Sequence, residues 1–489
     1  MQIELQREAG RPVYLQIADQ IGAAIEARRL AHGARLPAIR DLARRLQVHR
    51  DTVALAYEEL AAAGRVESSV GRGTFVRAPG DPGPGGAPFE AAFSGLTESL
   101  LRFERARPRF GSADGAVPLH AIIPDPALYP VEGFRRALNR AFREHGADLL
   151  LYGDPQGHPR LREALASHLG GAGLEVGPGE LLLCHGASQG ISLALRLFAE
   201  PGDLIALEEP TYNNVLATVF GLGLRTAPVP MGEDGPDLAA LERTLRRPEV
   251  KLLYTIPTFH NPMGLTTSLG HRRALLEVAA RCGKPVVEDA YEMDLRFGER
   301  PVPPLAGLDA SGLVVHLSSF SKSLFPGVRV GAIAARGRAL DALLALKRAT
   351  DHSDSMLLQA ALARFLEEGH YERHLARLRR VLRSRCEALT GALEDALPEG
   401  ARFTRPAGGY QVWVELPAGL DTSELLADAA RAGVLFAPGS QFNHDGRPSC
   451  ALRLSFAMAD EAALRRGAQA LARVVRERQR AAPAARIHI

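Results

Sequence analysis

The chain has 489 residues, 46% of them hydrophobic and 24% charged, with a formal net charge of +3. This length implies two to four domains with at least one large buried core, and the balance excludes a mostly disordered, collagen-like or repeat-coded chain. No apolar run approaches the roughly 18 residues that a membrane helix needs, and the first residues lack a charged-then-apolar leader, so a cytoplasmic protein with no membrane partner is expected.

Charge and residue choice are uneven along the chain. Residues 1–78 hold 12 arginines and 9 acidic residues, and the remainder holds 47 of each sign, so the whole net charge sits at the N-terminus. That points to a polyanion partner there. Only four basic residues are lysine (Lys251, Lys284, Lys322, Lys347), so any lysine in an unusual setting draws interest. The four cysteines (Cys184, Cys282, Cys386, Cys450) are scattered without metal-ligand spacing, which argues against a disulfide framework or a metal site and for buried thiols.

In chain order, residues 14–30 carry a helical apolar stripe at Ile17, Ile21, Ala24 and Ile25. Pro37 opens a second helix over 39–46, a tight turn covers 47–50, and Val53, Tyr57 and Leu60 mark a third helix. Such a trio fits a helix-turn-helix unit. Two short β-prone pieces, 66–68 and 74–76, flank Gly71-Arg72-Gly73, as a wing requires. The run PGDPGPGGAP at 79–88 removes both helix and ladder bonding and reads as a linker, extended to about residue 113, with a short helical stretch over 96–107. Beyond residue 114, apolar strand-like runs (181–185, 204–207, 251–256, 285–288, 313–317, 330–335) alternate with helical stretches, the pattern of a mainly parallel sheet covered on both faces. Long helical patterns over 356–397 lead to strands at 409–415, 433–436 and 451–456, expected to form a smaller α+β domain.

The chemistry centres on Lys322, which follows a strand inside Ser318-Ser319-Phe320-Ser321-Lys322-Ser323 and is followed by Arg329. Alone it reads equally well as a solvated loop lysine. Thirty residues earlier, however, the apolar strand Val286-Val287-Glu288-Asp289 ends in an acid, and the carboxyl end of a parallel strand faces the crevice where α/β proteins bind ligands. Earlier still, Gly186-Ala187-Ser188-Gln189-Gly190 is a small-residue turn opening a helix, where free N–H groups and the helix dipole favour an anion. That turn alone is a weak signal. Together, a lysine for a Schiff base, an acid able to keep a pyridine nitrogen protonated and a phosphate cup are the parts of a pyridoxal phosphate site.

At this point a resemblance emerges. Residues 114–489 resemble fold type I, class I/II aminotransferases. Residues 11–78 resemble the GntR-type winged helix through Arg35-Leu36-Pro37-Ala38-Ile39-Arg40-Asp41-Leu42-Ala43, Val48-His49-Arg50-Asp51-Thr52-Val53 and Gly71-Arg72-Gly73-Thr74-Phe75-Val76. In this order the two resemble the MocR subfamily of transcription regulators. The resemblance implies a winged helix over 1–78, a linker over 79–113 and an aminotransferase-like domain over 114–489, whose small subdomain covers about 350–489.

By motif it implies that Lys322 carries the cofactor and Asp289 pairs with its ring nitrogen. Asn261 and Tyr291 would bond its ring hydroxyl, and Tyr212 would stack on the ring. Ser188, Gln189, Ser319, Ser321 and Arg329 would hold its phosphate, and Arg453 would grip a substrate or effector carboxylate. Tyr152 would reach the phosphate of a neighbouring subunit, which implies a homodimer. On the head, Arg40, Arg50, Thr52 and Arg72 would contact a double-stranded DNA operator. His49 stands where the family carries a small hydroxyl residue, a better helix cap. The expected function is a regulator that senses pyridoxal phosphate or an amino compound condensing with it. An active aminotransferase bearing a DNA-binding domain stays open.

Overall fold

The apolar spacing of three and four seen from Ile17 to Ile25 builds α1 (Val13–Glu26), which turns Ile17, Ala18, Ile21, Ala24 and Ile25 inward. The computed structural model describes residues 3, 5, 13–27, 29–69, 73–77, 93–106, 115–298 and 300–481. They fall into two units, Met1–Phe93 and Ser94–Ile489.

In the first unit α2 (Ile39–Leu46) follows Pro37 and ends at Gln47, whose left-handed backbone lets its N–H cap the carbonyls of Ala43 and Arg44. The third helix, α3 (Arg50–Ala62), starts three residues later, with His49 at its N-cap. The His49 Nδ1 accepts from the Asp51 N–H at 3.4 Å, so histidine does cap this helix, but by a long contact. Val66–Ser69 pairs antiparallel with Gly73–Val76, Val66 opposite Val76. Ile17, Ile21, Leu36, Leu42, Val53, Leu60, Val66 and Val76 share one core with Tyr57. The Tyr57 hydroxyl escapes burial without a partner by donating to the Pro37 carbonyl at 2.8 Å. Gly73 lies at φ +111, and a Cβ there would come within 2.8 Å of Arg35 Nε, so the hairpin needs glycine. The expected wing-tip Arg72 and the linker run 79–88 lie outside the described residues.

In the second unit, alternate residues of the same strands enter two different cores, as a period of two demands. Ile205, Leu252, Val287, Val315 and Leu317 pack on one face of an eight-stranded sheet. Leu204, Ala206, Leu253, Val286 and Val314 pack on the other. The strand order is Leu181–Cys184, Gly331–Ala334, Val314–Ser319, Val286–Asp289, Val250–Thr255, Leu204–Glu209, Arg225–Gly232 and Gly235–Pro236. The five strands from Val314–Ser319 to Arg225–Gly232 are joined in parallel. Gly331–Ala334 runs antiparallel to both of its neighbours. Cys184, Ser319, Asp289, Thr255 and Glu209 therefore all end their strands on one edge, and the polar loops after them converge there.

A four-stranded antiparallel sheet of Arg402–Phe403, Gln411–Glu415, Ala451–Ser455 and Ala437–Pro438 packs with the long helices His370–Ala396 and Glu461–Ala481. Two expectations change. The strand expected at 433–436 is divided, because Val434–Leu435 pairs with Val117–Pro118 while Ala437–Pro438 pairs with Ala451–Ser455. The helical stretch expected over 96–107 forms as α4 (Gly95–Ala106), whose Phe103 ring lies 5.2 Å from that of Phe220 in an edge-on pair. The thiols are not uniformly buried: Cys184 and Cys386 are, Cys282 is half-buried and Cys450 is exposed.

Candidate functional site

At the carboxyl edge of the sheet a cavity of about 200 Å³ is lined by Ser188, Tyr212, Asn214, Asp289, Tyr291, Ser319, Ser321, Lys322 and Arg329. Eight of the residues singled out by sequence thus meet in one chamber. A larger hollow of about 490 Å³ beside Phe103, Phe220 and His444 contains none of them. Asp289, Tyr291 and Lys322, whose pKa values are shifted by burial, line the smaller cavity, and the chemistry goes with them.

Asp289 is buried at the end of its strand, where Tyr254 donates to its Oδ2 at 2.7 Å. Burial raises its pKa, the Tyr254 bond works against that, and the result is about 6. Its other oxygen, Oδ1, has no partner. Lys322 is half-buried, and its Nζ donates to the Ile122 carbonyl at 2.9 Å. Burial pulls its pKa below the ordinary lysine range, with Glu292 opposing and Arg453 assisting. A lysine so placed has a larger fraction of free amine, the form that attacks a carbonyl.

One end of the cavity is built on the backbone. The helix Ala187–Phe198 begins at Gly186 without a side-chain cap, which leaves an electropositive N-terminus. Gly186 sits at φ +78, a backbone conformation that favours glycine, and a Cβ there would lie 3.0 Å from Arg329 Nη2. Arg329 itself occupies the left-handed region at φ +48, an uncommon conformation for a long side chain. Its Nη2 donates to the His185 carbonyl at 2.9 Å, and the Ser319 hydroxyl accepts from the Ser321 N–H at 3.2 Å.

Of the remaining expected residues, Arg453, Asn261, Gln189 and Tyr152 do not line the cavity. Arg453, buried, donates through Nη1 to Asn261 Oδ1 at 3.1 Å and through Nη2 to the His120 carbonyl at 2.8 Å, and its guanidinium lies 5.0 Å from the Phe442 ring centre. Asn261 Nδ2 is buried without a partner. The Tyr291 hydroxyl accepts from Gln411 Nε2 at 2.6 Å. The rings of Tyr212 and Tyr291 are almost parallel, with centres 6.4 Å apart. Gln189 departs from the expected phosphate contact: its side chain accepts from the His185 N–H at 2.7 Å and donates to Asp351, and it does not line the cavity. Tyr152 is 84% exposed, and its ring is 5.6 Å from that of His352. On the first unit Arg40 and Arg50 are exposed and Thr52 is half-buried in the first turn of α3.

Sequence reading missed Tyr254, Glu292, Gln411 and the Ile122 carbonyl. Tyr254 was visible in the strand Val250–Thr255, but its partner on the neighbouring parallel strand was not. Among the described residues one trio has metal-ligand proximity, Glu209, His444 and Asp445. Glu209 is already paired with His444 and, at 3.0 Å, with Arg447.

Comparison with known proteins matches this geometry. Residues 125–471 fit the family described as aminotransferase class I and II, and residues 13–76 fit the bacterial regulatory proteins of the gntR family. The 2-aminoadipate transaminase of Thermus thermophilus is 38% identical over 357 residues, 72% of this chain and 88% of its own. The probable rhizopine catabolism regulatory protein MocR of Rhizobium meliloti is 31% identical over 476 residues, 96% of this chain and 94% of its own. Among solved structures, the α-aminoadipate aminotransferase LysN of Thermus thermophilus, complexed with N-(5′-phosphopyridoxyl)-L-leucine, aligns with a TM-score of 0.70 at 35% identity, over 79% of this chain and 96% of that one.

The fold and the site define a class I/II aminotransferase-type domain behind a GntR-type winged helix. With relatives aligned along almost its full length, the chain belongs to the MocR-type regulators of the GntR family. The aminotransferase family depends on pyridoxal phosphate, so family membership implies that cofactor. Among the described residues no helix is long and apolar enough to cross a membrane.

Proposed function

We propose that this protein is a cytoplasmic, DNA-binding transcription regulator whose second domain holds pyridoxal phosphate and responds to that cofactor or to an amino compound that condenses with it. The observation carrying this reading is the pairing, on one chain with a winged helix, of an amine-rich Lys322 and a buried Asp289 in the same small cavity.

The residues present fit the cofactor. Asp289 Oδ1, unpartnered and buried, is the acceptor that a protonated ring nitrogen needs, and Asn261 Nδ2 is an unpartnered donor suited to a ring hydroxyl. Ser188, Ser319, Ser321, Arg329 and the uncapped helix start suit a phosphate dianion. When bound, pyridoxal phosphate supplies an electron sink and an exchangeable covalent link to amines. Lys322 contributes the amine for that link and, once displaced from it, a base. Tyr254 holds Asp289 in place, and Arg453 offers a planar fork for a carboxylate, at present shared by Asn261 and the His120 carbonyl.

In this reading an effector acts through its difference in affinity for two states of the domain, and that difference is the coupling to DNA affinity. The boundaries proposed are a head over 1–78, a linker over 79–113 that includes α4, and the ligand domain over 114–489. A homodimer is proposed on the exposure of neighbouring Leu150, Leu151 and Tyr152, at 66%, 67% and 84%. The test is binding of the cofactor-loaded full chain to labelled DNA from upstream of its own gene, against scrambled DNA at fixed physiological salt. A specific Kd near 10⁻⁸ M or tighter supports the reading, and equal, weak binding to both DNAs counts against it.

A second reading, a working aminotransferase with a DNA-binding appendage, is favoured by the coexistence of Lys322, Asp289 and Arg453 and by the 38% identity to a transaminase. Steady amino transfer from an amino acid to a 2-oxo acid, measured on the purified chain, would move the assignment that way.

A further inference from the structure

Lys347 is one of only four lysines in the chain, and its side chain is fully buried, far from any surface role. A buried ammonium is tolerated only when paired. Its Nζ contacts Asp351 Oδ1 at 2.8 Å and Asp354 Oδ2 at 3.1 Å. Asp351 in turn accepts from Gln189 Nε2, and Gln189 Oε1 accepts from the His185 N–H at 2.7 Å. The His185 carbonyl accepts from Arg329 Nη2 at 2.9 Å. Four side chains and the backbone of one residue, His185, thus link Lys347 to the arginine at the anion end of the cavity. Neither Gln189, Asp351 nor Lys347 lines that cavity. The same turn holds the loop bearing Tyr152, because Ser353 Oγ accepts from the Gly153 N–H at 3.2 Å.

We propose that Lys347 is a positioning residue for phosphate binding, fixing Arg329 and the start of the Ala187–Phe198 helix through Asp351, Gln189 and His185. This rests on the reading that Ser188, Ser319, Ser321 and Arg329 take the cofactor phosphate. Without the ammonium, Asp351 keeps only Gln189, and Asp354 only the His185 ring at 3.9 Å, against their mutual repulsion. Gln189 loses the fixed acceptor that orients it, the His185 peptide is freed to turn, and two negative charges stand behind a site meant for a dianion. The ligand class affected is a phosphate monoester, and the part of the ligand affected is the phosphate alone.

The test compares pyridoxal phosphate with pyridoxal, which can still condense with Lys322 but carries no phosphate, by absorbance titration of the full chain. Lys347→Met is expected to weaken pyridoxal phosphate by about tenfold or more while pyridoxal stays within about twofold, the loss of one charge-assisted contact acting on one ligand only. Asp351→Asn keeps the size and is expected to shift the ratio in the same direction by less. It carries the test if Lys347→Met does not fold. Equal weakening of both ligands, or of neither, overturns the proposal. A wild-type chain that does not prefer pyridoxal phosphate over pyridoxal overturns the cofactor reading and this proposal with it.

Discussion

Arg40 and Arg50 of the first unit are exposed, whereas Asp289, Asn261 and Arg453 of the second are buried, each with one polar atom that no neighbour satisfies. The difference decides how far structure alone defines a role. An exposed arginine costs nothing to leave in water, so its function lies in a long-range field and in the motif around it. A buried polar atom without a partner costs about 1–3 kcal/mol, so each one left open near the cavity points to something that closes it.

That contrast can be broken first at Lys322. Lys322→Ala is expected to abolish covalent cofactor attachment outright, read as loss of the imine absorbance and of borohydride-fixed label; a mutant that keeps both removes Lys322 from its role. Next in size is the network behind the lysine-bearing turn. His168 Nε2 lies 2.9 Å from Asp294 Oδ1, and Tyr371 bridges Asp294 Oδ2 and Ser323 Oγ at 2.7 Å each. Burial alone would lower the His168 pKa, but Asp294 and Glu372 outweigh it and hold it up at about 10. Burial likewise raises Asp294, yet His168 and Tyr371 bring it down to about 2. A raised histidine stabilises fully below its unfolded value of about 6.5 and loses that contribution as pH rises through 10. A lowered aspartate stabilises above about 3.9 and loses it as pH falls through 2. His168→Gln is therefore expected to cost about 3 kcal/mol near neutral pH and to flatten the alkaline decline in melting temperature. An unchanged alkaline limb would show that the pair does not carry it.

Smaller effects sharpen the other side of the comparison. If Arg50 touches a phosphate, Arg50→Ala should weaken DNA binding similarly on every sequence and reduce the slope of log affinity against log salt by about 1. A slope unchanged from the wild type leaves Arg50 as surface charge. The smallest is His49→Ser, which replaces a long cap contact by a hydroxyl able to reach the N–H groups of α3 closely. A gain of about 0.5 kcal/mol is expected in chemical unfolding of the first unit followed within the full chain. A loss would mean that His49 contributes more than its 3.4 Å contact to Asp51 suggests.

The elements were legible wherever a period was clean. The strand ending in Asp289 opens on the apolar pair Val286-Val287 and is buried throughout, the helices of the head keep their spacing, and both hairpin strands were expected within one residue of where they form. The division at 433–438 was not legible, because the choice of partner strand depends on Val117, more than three hundred residues away. Within the site, residues that speak by motif, such as Lys322, Asp289 and Arg329, could be named from the chain alone. Those that act by distance could not. Gln189 sits in a turn motif yet faces Asp351, and Tyr254 matters only because parallel pairing sets it one strand from Asp289.

The scarcity of lysine gives the molecule an unusual chemical silence. Lys347 is sealed, Lys284 Nζ is tied to the Val250 carbonyl at 2.5 Å, and Lys251 leans on Asp203 at 3.5 Å. Arginine, inert to amine-selective acylation, fills the rest of the basic surface. In a crude extract, the acylation state of residue 322, read by mass spectrometry, would report occupancy of the chamber with the 38%-exposed Lys251 of the same polypeptide as its internal reference.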